Sequence, residues 1–154
     1  WQNTYFEQGK NHPVVSISWN DAAAYCEWLS KKTGLEFQIP TEAQWEKGAR
    51  GTDKRTYPWG DHIPDGSRAN YADINFWNKY DNVRPADKTV NDGYTETSPV
   101  GSYPDGASPF GIMDMAGNVW EWTSTLMKNS RRASCLRTTS RAASSPIGVN
   151  VTTS

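Results

Sequence analysis

The sequence predicts an α+β domain with two helices, small sheets and extensive ordered loops. Three observations predict it. Two capped amphipathic segments follow one another early in the chain. Short alternating apolar stretches flank them. A long middle region rich in Gly, Pro, Asn and Asp carries scattered aromatic residues instead of a period.

Residues 13–19, PVVSISW, alternate at Val15, Ile17 and Trp19, which predicts a short strand with one buried face. Asn20 reads as an N-cap, with Asp21 placed to favour the positive helix end. Ala22, Tyr25, Cys26 and Leu29 then form one apolar stripe. Lys31 and Lys32 suit the C-terminal turn and Gly34 a left-handed stop, so the helix is expected over Asp21–Thr33. Leu35–Ile39 alternate as a second strand. Thr41 and Gln44 have capping-box spacing, and the helix they open places Trp45, Gly48 and Ala49 on one face before ending near Gly51.

From Thr52 to Ser108 no period persists, so this stretch is expected to be ordered by buried aromatics and a bound cation rather than by regular structure. Residues 119–123, VWEWT, alternate as a further strand. The segment 128–154 differs in character. It is rich in Ser, Thr, Ala and Arg, contains no aromatic or acidic residue, and is basic through Lys128, Arg131, Arg132, Arg137 and Arg141. The expected organisation is therefore one domain over residues 1–127 and a divergent or disordered tail over 128–154, with a disordered end, a poorly packed end and an altered sequence all open.

Bulk properties narrow the function. The chain has 154 residues, with 16 Lys+Arg against 17 Asp+Glu, so a nucleic-acid-binding surface is not expected. No apolar run approaches the roughly 20 residues of a membrane span. No signal peptide is visible, and the opening at Trp1 suggests a fragment or processed piece. Cys26 and Cys135 could pair, or Cys26 could be a small buried apolar residue; the latter is preferred.

Four landmarks occur in order. They are HPVVSISW at 12–19 leading into DAAAYCEWL at 21–29; IPTEAQWE at 39–46 with GARG at 48–51; YPWG at 57–60; and SPVGSYP at 98–104 through GNVWEWT at 117–123. Together they closely resemble the formylglycine-generating enzyme family, the sulfatase-modifying factor domains, over about residues 11–123. The resemblance implies a variant of the C-type lectin fold. The Gly-Gly-x-Phe-x-Met-Gly strands with which family domains open, and their closing Arg-Gly-Gly-Ser-Trp/Tyr and Gly-Phe-Arg strands, are not found in this sequence.

The resemblance also implies calcium. Ca²⁺ takes six to eight hard oxygen ligands, many of them backbone carbonyls, and a Gly-rich loop beside a carboxylate supplies both kinds. Carried over by position, one site would use the Asp114 side chain, the Gly117 and Val119 carbonyls and the Glu121 carboxylate. A second would use Asn70, the Tyr71 carbonyl, Asp92 and the Tyr94 carbonyl. The bland alternative is that these residues only make turns and caps.

The catalytic members are copper-dependent oxidases that hold Cu(I) through two cysteines five residues apart, late in the domain. Soft thiolates suit Cu(I), so both sulfurs are needed. Here Cys135 stands late in the chain, and the position five before it is Ser130. Copper and formylglycine formation are therefore not expected of this chain. His12 and His62 fall short of a three-histidine iron site; a strand entrance and a solvated turn are expected for them. Trp59, Trp77, Trp120 and Trp122 are read as core rather than as a ligand groove. Two functions stay open: a portion of an enzyme-family domain whose parent acts on a peptide or small thiol, and a noncatalytic module binding a peptide, protein or small molecule.

Overall fold

The computed structural model describes residues 4–80 and 85–125. Its regular elements are α1 (Trp19–Thr33), α2 (Glu42–Arg50), α3 (Ile74–Tyr80) and a single 3₁₀ turn, Pro104–Gly106. The tail 128–154, with Ser130 and Cys135, lies outside the described residues.

Helix α1 starts two residues earlier than the sequence suggested, and its cap is Ser18, not Asn20. Ser18 Oγ accepts the Asp21 amide at 3.2 Å, and Asp21 Oδ2 accepts the Ser18 amide at 2.8 Å. A reciprocal box satisfies donors at both positions, which a lone Asn20 cannot do. The helix ends as expected: Gly34, at φ 74°, donates to the Ser30 carbonyl at 2.9 Å. On the expected stripe Ala22 is buried, while Tyr25, Leu29 and Cys26 are half-buried. Cys26 is less enclosed than the sequence implied, although burial still raises the pKa of its thiol.

Helix α2 matches its expectation. Thr41 Oγ1 accepts the Gln44 amide and Gln44 Oε1 accepts the Thr41 amide, at 3.2 and 2.9 Å. The helix stops at Gly51, φ 68°. Trp45 and Ala49 are buried on one face and cluster with Met115, docking α2 against the loop that follows residue 110. A Cβ at Gly48 would sit 3.3 Å from Ile112 Cδ1, so the small residue lets that loop approach.

The strands are the main departure. Among the described residues no strand forms at 13–19, 35–39 or 119–123, and bridging is confined to isolated positions such as Tyr57 with Gly60 and Asp73 with Asp87. Ser16, at φ 59°, breaks the extended run at 13–19. Asn118, at φ 57°, turns the chain just before 119–123. The alternation reports burial in part: Val15, Val119 and Thr123 are buried and Ile17 and Trp19 half-buried, whereas Leu35 and Phe37 are exposed. Indole groups join these segments in place of a main-chain ladder: Trp19 Nε1 donates to the Thr123 carbonyl at 3.0 Å and Trp122 Nε1 to the Ile17 carbonyl at 3.2 Å.

The irregular middle contains a third helix that the sequence did not reveal. α3 has 7 residues, too few for its INFWNKY sequence to display a period. Elsewhere this stretch is held by carboxylates and amides that accept the main-chain N–H two residues ahead. Examples are Asp65 with Ser67 at 3.0 Å, Asp87 with Thr89 at 2.9 Å and Asn91 with Gly93 at 3.0 Å. Trp59, Trp77, Trp120 and Trp122 are half-buried rather than core; among the described residues the buried indole is Trp45.

Candidate metal centre

The two sets of expected calcium ligands meet at one junction. The Asn118 amide, between Gly117 and Val119, donates to the Asn70 carbonyl at 2.7 Å. Gly117 makes this approach possible: at φ 79°, a Cβ there would lie 2.1 Å from the Asn70 oxygen. Asn70 is itself buried, and its Nδ2 donates to the Glu96 carbonyl at 2.7 Å.

Asp92 is buried, and both of its carboxylate oxygens face main-chain amides. Oδ2 accepts Tyr71 N at 2.8 Å and Oδ1 accepts Tyr94 N at 2.9 Å. All four expected members of this site, Asn70, Tyr71, Asp92 and Tyr94, therefore lie on segments that Asp92 itself brings together or that flank it. Burial pushes the Asp92 pKa up to about 7 against the pull of those amides, with the nearby Asp73 carboxylate adding to the rise. Asp114 has φ 58° and is also buried, and its Oδ2 accepts Gly101 N at 2.7 Å. Burial raises its pKa, while the Gly101 amide and the Asn118 side chain pull it down. Glu121 Oε2 accepts the Trp45 indole N–H at 2.5 Å, tying the far end of this loop to α2.

Two features of this chain suit a hard cation. First, Asp73, Asp92 and Asp114 are buried carboxylates, and the ion pairs among the described residues all lie elsewhere. Second, among the described residues no hydrogen-bond donor reaches the carbonyl oxygens of Tyr71, Tyr94, Gly117 or Val119. Carboxylates and free carbonyls are the donor types that Ca²⁺ takes. No group of three or more His, Cys, Asp or Glu that could hold a metal ion converges among the described residues, so an ion at either expected site would depend on carbonyl oxygens beside one or two side chains.

Asp73, Asn118 and Ser98 were not singled out from sequence. Asp73 is fully buried; its Oδ1 accepts Asn75 N at 2.7 Å at the head of α3, and its Oδ2 accepts Asp92 N at 2.7 Å. The signal available was an Asp with an Asn two residues on, at the head of the short INFWNKY segment. Asn118 clamps Ser98 from both sides: its Oδ1 accepts Ser98 N at 3.1 Å and its Nδ2 donates to Ser98 O at 3.2 Å. Of the histidines, His12 lies in a turn rather than a strand entrance, with Nδ1 2.9 Å from Thr97 Oγ1, and His62 is exposed as expected.

A scaffold of short helices and ordered loops, converging on buried carboxylates, is that of the C-type-lectin-like sulfatase-modifying factor class. The chain belongs to the family described as sulfatase-modifying factor enzyme 1-like domain, which it matches over residues 2–149. It is 44% identical over 114 residues to the formylglycine-generating enzyme of Thermomonospora curvata, covering 73% of this chain and 33% of that protein. It is 41% identical over 116 residues to the mouse (Mus musculus) formylglycine-generating enzyme, covering 74% of this chain and 27% of that one. It is 40% identical over 114 residues to the inactive C-alpha-formylglycine-generating enzyme 2 of Bos taurus, covering 73% of this chain and 33% of the relative. The chain thus spans about a third of the length of these relatives. Among solved structures it resembles PvdO from Pseudomonas aeruginosa, with a TM-score of 0.62 and 34% identity, over 79% of this chain and 41% of that one.

Proposed function

We propose that this chain is a calcium-stabilised part of a formylglycine-generating-enzyme-like domain that does not itself oxidise sulfatase cysteine. The calcium reading is supported by the buried Asp92 and Asp114 beside the carbonyls of Tyr71, Tyr94, Gly117 and Val119, which accept no hydrogen bond among the described residues. One ion would be held by Asp114, Gly117, Val119 and Glu121, the other by Asn70, Tyr71, Asp92 and Tyr94. When bound, calcium supplies positive charge that fixes the loops; it supplies no redox chemistry. The noncatalytic half of the reading rests on Ser130 standing five residues before Cys135, because one thiolate cannot form a two-sulfur Cu(I) site.

A second reading is a noncatalytic module that binds a peptide, protein or small molecule. The similarity to a relative named as inactive favours it. The half-buried Trp59, stacked on Tyr57 with ring centroids 5.0 Å apart, offers an aromatic surface for such a ligand.

Equilibrium dialysis of the purified chain against calcium tests the first reading. The expected result is saturable binding of two ions; protein that is folded yet takes up none overturns it. Incubation with copper, oxygen and a cysteine-containing sulfatase peptide tests the rest. No aldehyde is expected, and catalytic turnover by this chain overturns the noncatalytic assignment.

A further inference from the structure

Building on the calcium reading, we propose that the two ion sites are coupled through a closed hydrogen-bond circuit centred on Asn118, so that filling either site tightens the other. The circuit has three corners. Asn118 N donates to the Asn70 carbonyl at 2.7 Å. Asn70 Nδ2 donates to the Glu96 carbonyl at 2.7 Å. Two residues further on, the Asn118 side chain clamps Ser98 N and Ser98 O at 3.1 and 3.2 Å. Two of the corners adjoin or belong to a site, and the third, at Glu96 and Ser98, links them. The carbonyls of Gly117 and Val119 flank Asn118, and Asn70 with the Tyr71 carbonyl belongs to the other site.

An ion on the Gly117 and Val119 carbonyls fixes the peptide planes on both sides of Asn118, and with them the direction of its N–H. That N–H in turn orients the Asn70 peptide, whose next carbonyl faces the second ion. Ser98 is fully buried and Asn70 nearly so, so water competes weakly for these bonds. The cost of ordering the shared junction is met once, by whichever ion binds first. Coupling between sites is reciprocal and typically changes affinity between about 5-fold and about 150-fold.

Isothermal titration with Ca²⁺, after stripping the full chain with EGTA, reads this directly. Asp92→Asn removes a side-chain ligand of one site, and the remaining site should weaken about fivefold or more. Glu121→Gln should weaken the Asp92 site by a similar factor. Asn118→Gly keeps the left-handed backbone of φ 57° while deleting the clamp on Ser98. In that background each site should still bind, with the effect of Asp92→Asn reduced to under about twofold. An unchanged remaining site in both Asp92→Asn and Glu121→Gln overturns the coupling and leaves the calcium reading standing. Coupling that survives in Asn118→Gly overturns the part given to the Ser98 clamp and leaves the main-chain bond from Asn118 N to the Asn70 carbonyl as the route. A folded wild-type chain that takes up no calcium overturns the calcium reading, and the coupling with it.

Discussion

The Asn118 amide donates to the Asn70 carbonyl across 47 intervening residues, and at 2.7 Å this main-chain bond joins the two loops expected to hold ions. The bond exists because Gly117 has no side chain to separate the two segments of the junction.

Gly117→Ala should therefore destabilise the fold by about 2–4 kcal/mol, combining the left-handed backbone with a methyl group placed 2.1 Å from the Asn70 oxygen. Urea denaturation checks this through the midpoint. Gly34→Ala is the control. It shares a positive φ of 74° but meets nothing within 4 Å, so it should lose only about 1 kcal/mol.

The start of α1 can be tested with a matched pair. Ser18→Ala should cost about 1 kcal/mol, because it removes the acceptor for Asp21 N. Asn20→Ala should be nearly neutral or slightly stabilising, since residue 20 lies inside an exposed helical turn. Equal losses at both positions would contradict the Ser18 cap.

Trp45→Phe keeps most of the buried ring while deleting the indole N–H that reaches Glu121 Oε2. A stability loss of about 1–2 kcal/mol is expected. Calcium affinity should fall with it if Glu121 is a ligand held in place from α2. A loss of stability with unchanged calcium affinity would leave Trp45 a packing residue alone.

The same residues show what sequence could and could not convey. Thr41, Gln44, Gly34 and Gly51 were legible because caps act within a few residues of their own helix. The burial of Val15, Val119 and Thr123 was legible from alternation. Strand pairing was not, because a pattern reports which face is buried and not which partner it meets; here Ser16 and Asn118 interrupt the extension, and indoles make the links. α3 was hidden by its length. The expected ligands at Asp114–Glu121 and Asn70–Tyr94 came from the resemblance, whereas Asp73 and Asn118 act through partners 19 and 20 or more residues away. No local window contains such a pair.

The central claim is that bound calcium holds these loops. Thermal unfolding of the chain in EGTA and in calcium at about 100 times Kd tests it most directly. Linkage then adds about 2.7 kcal/mol per independent site, and a rise in Tm of at least about 5 °C is predicted. Superimposable melting curves for properly folded protein would contradict the account.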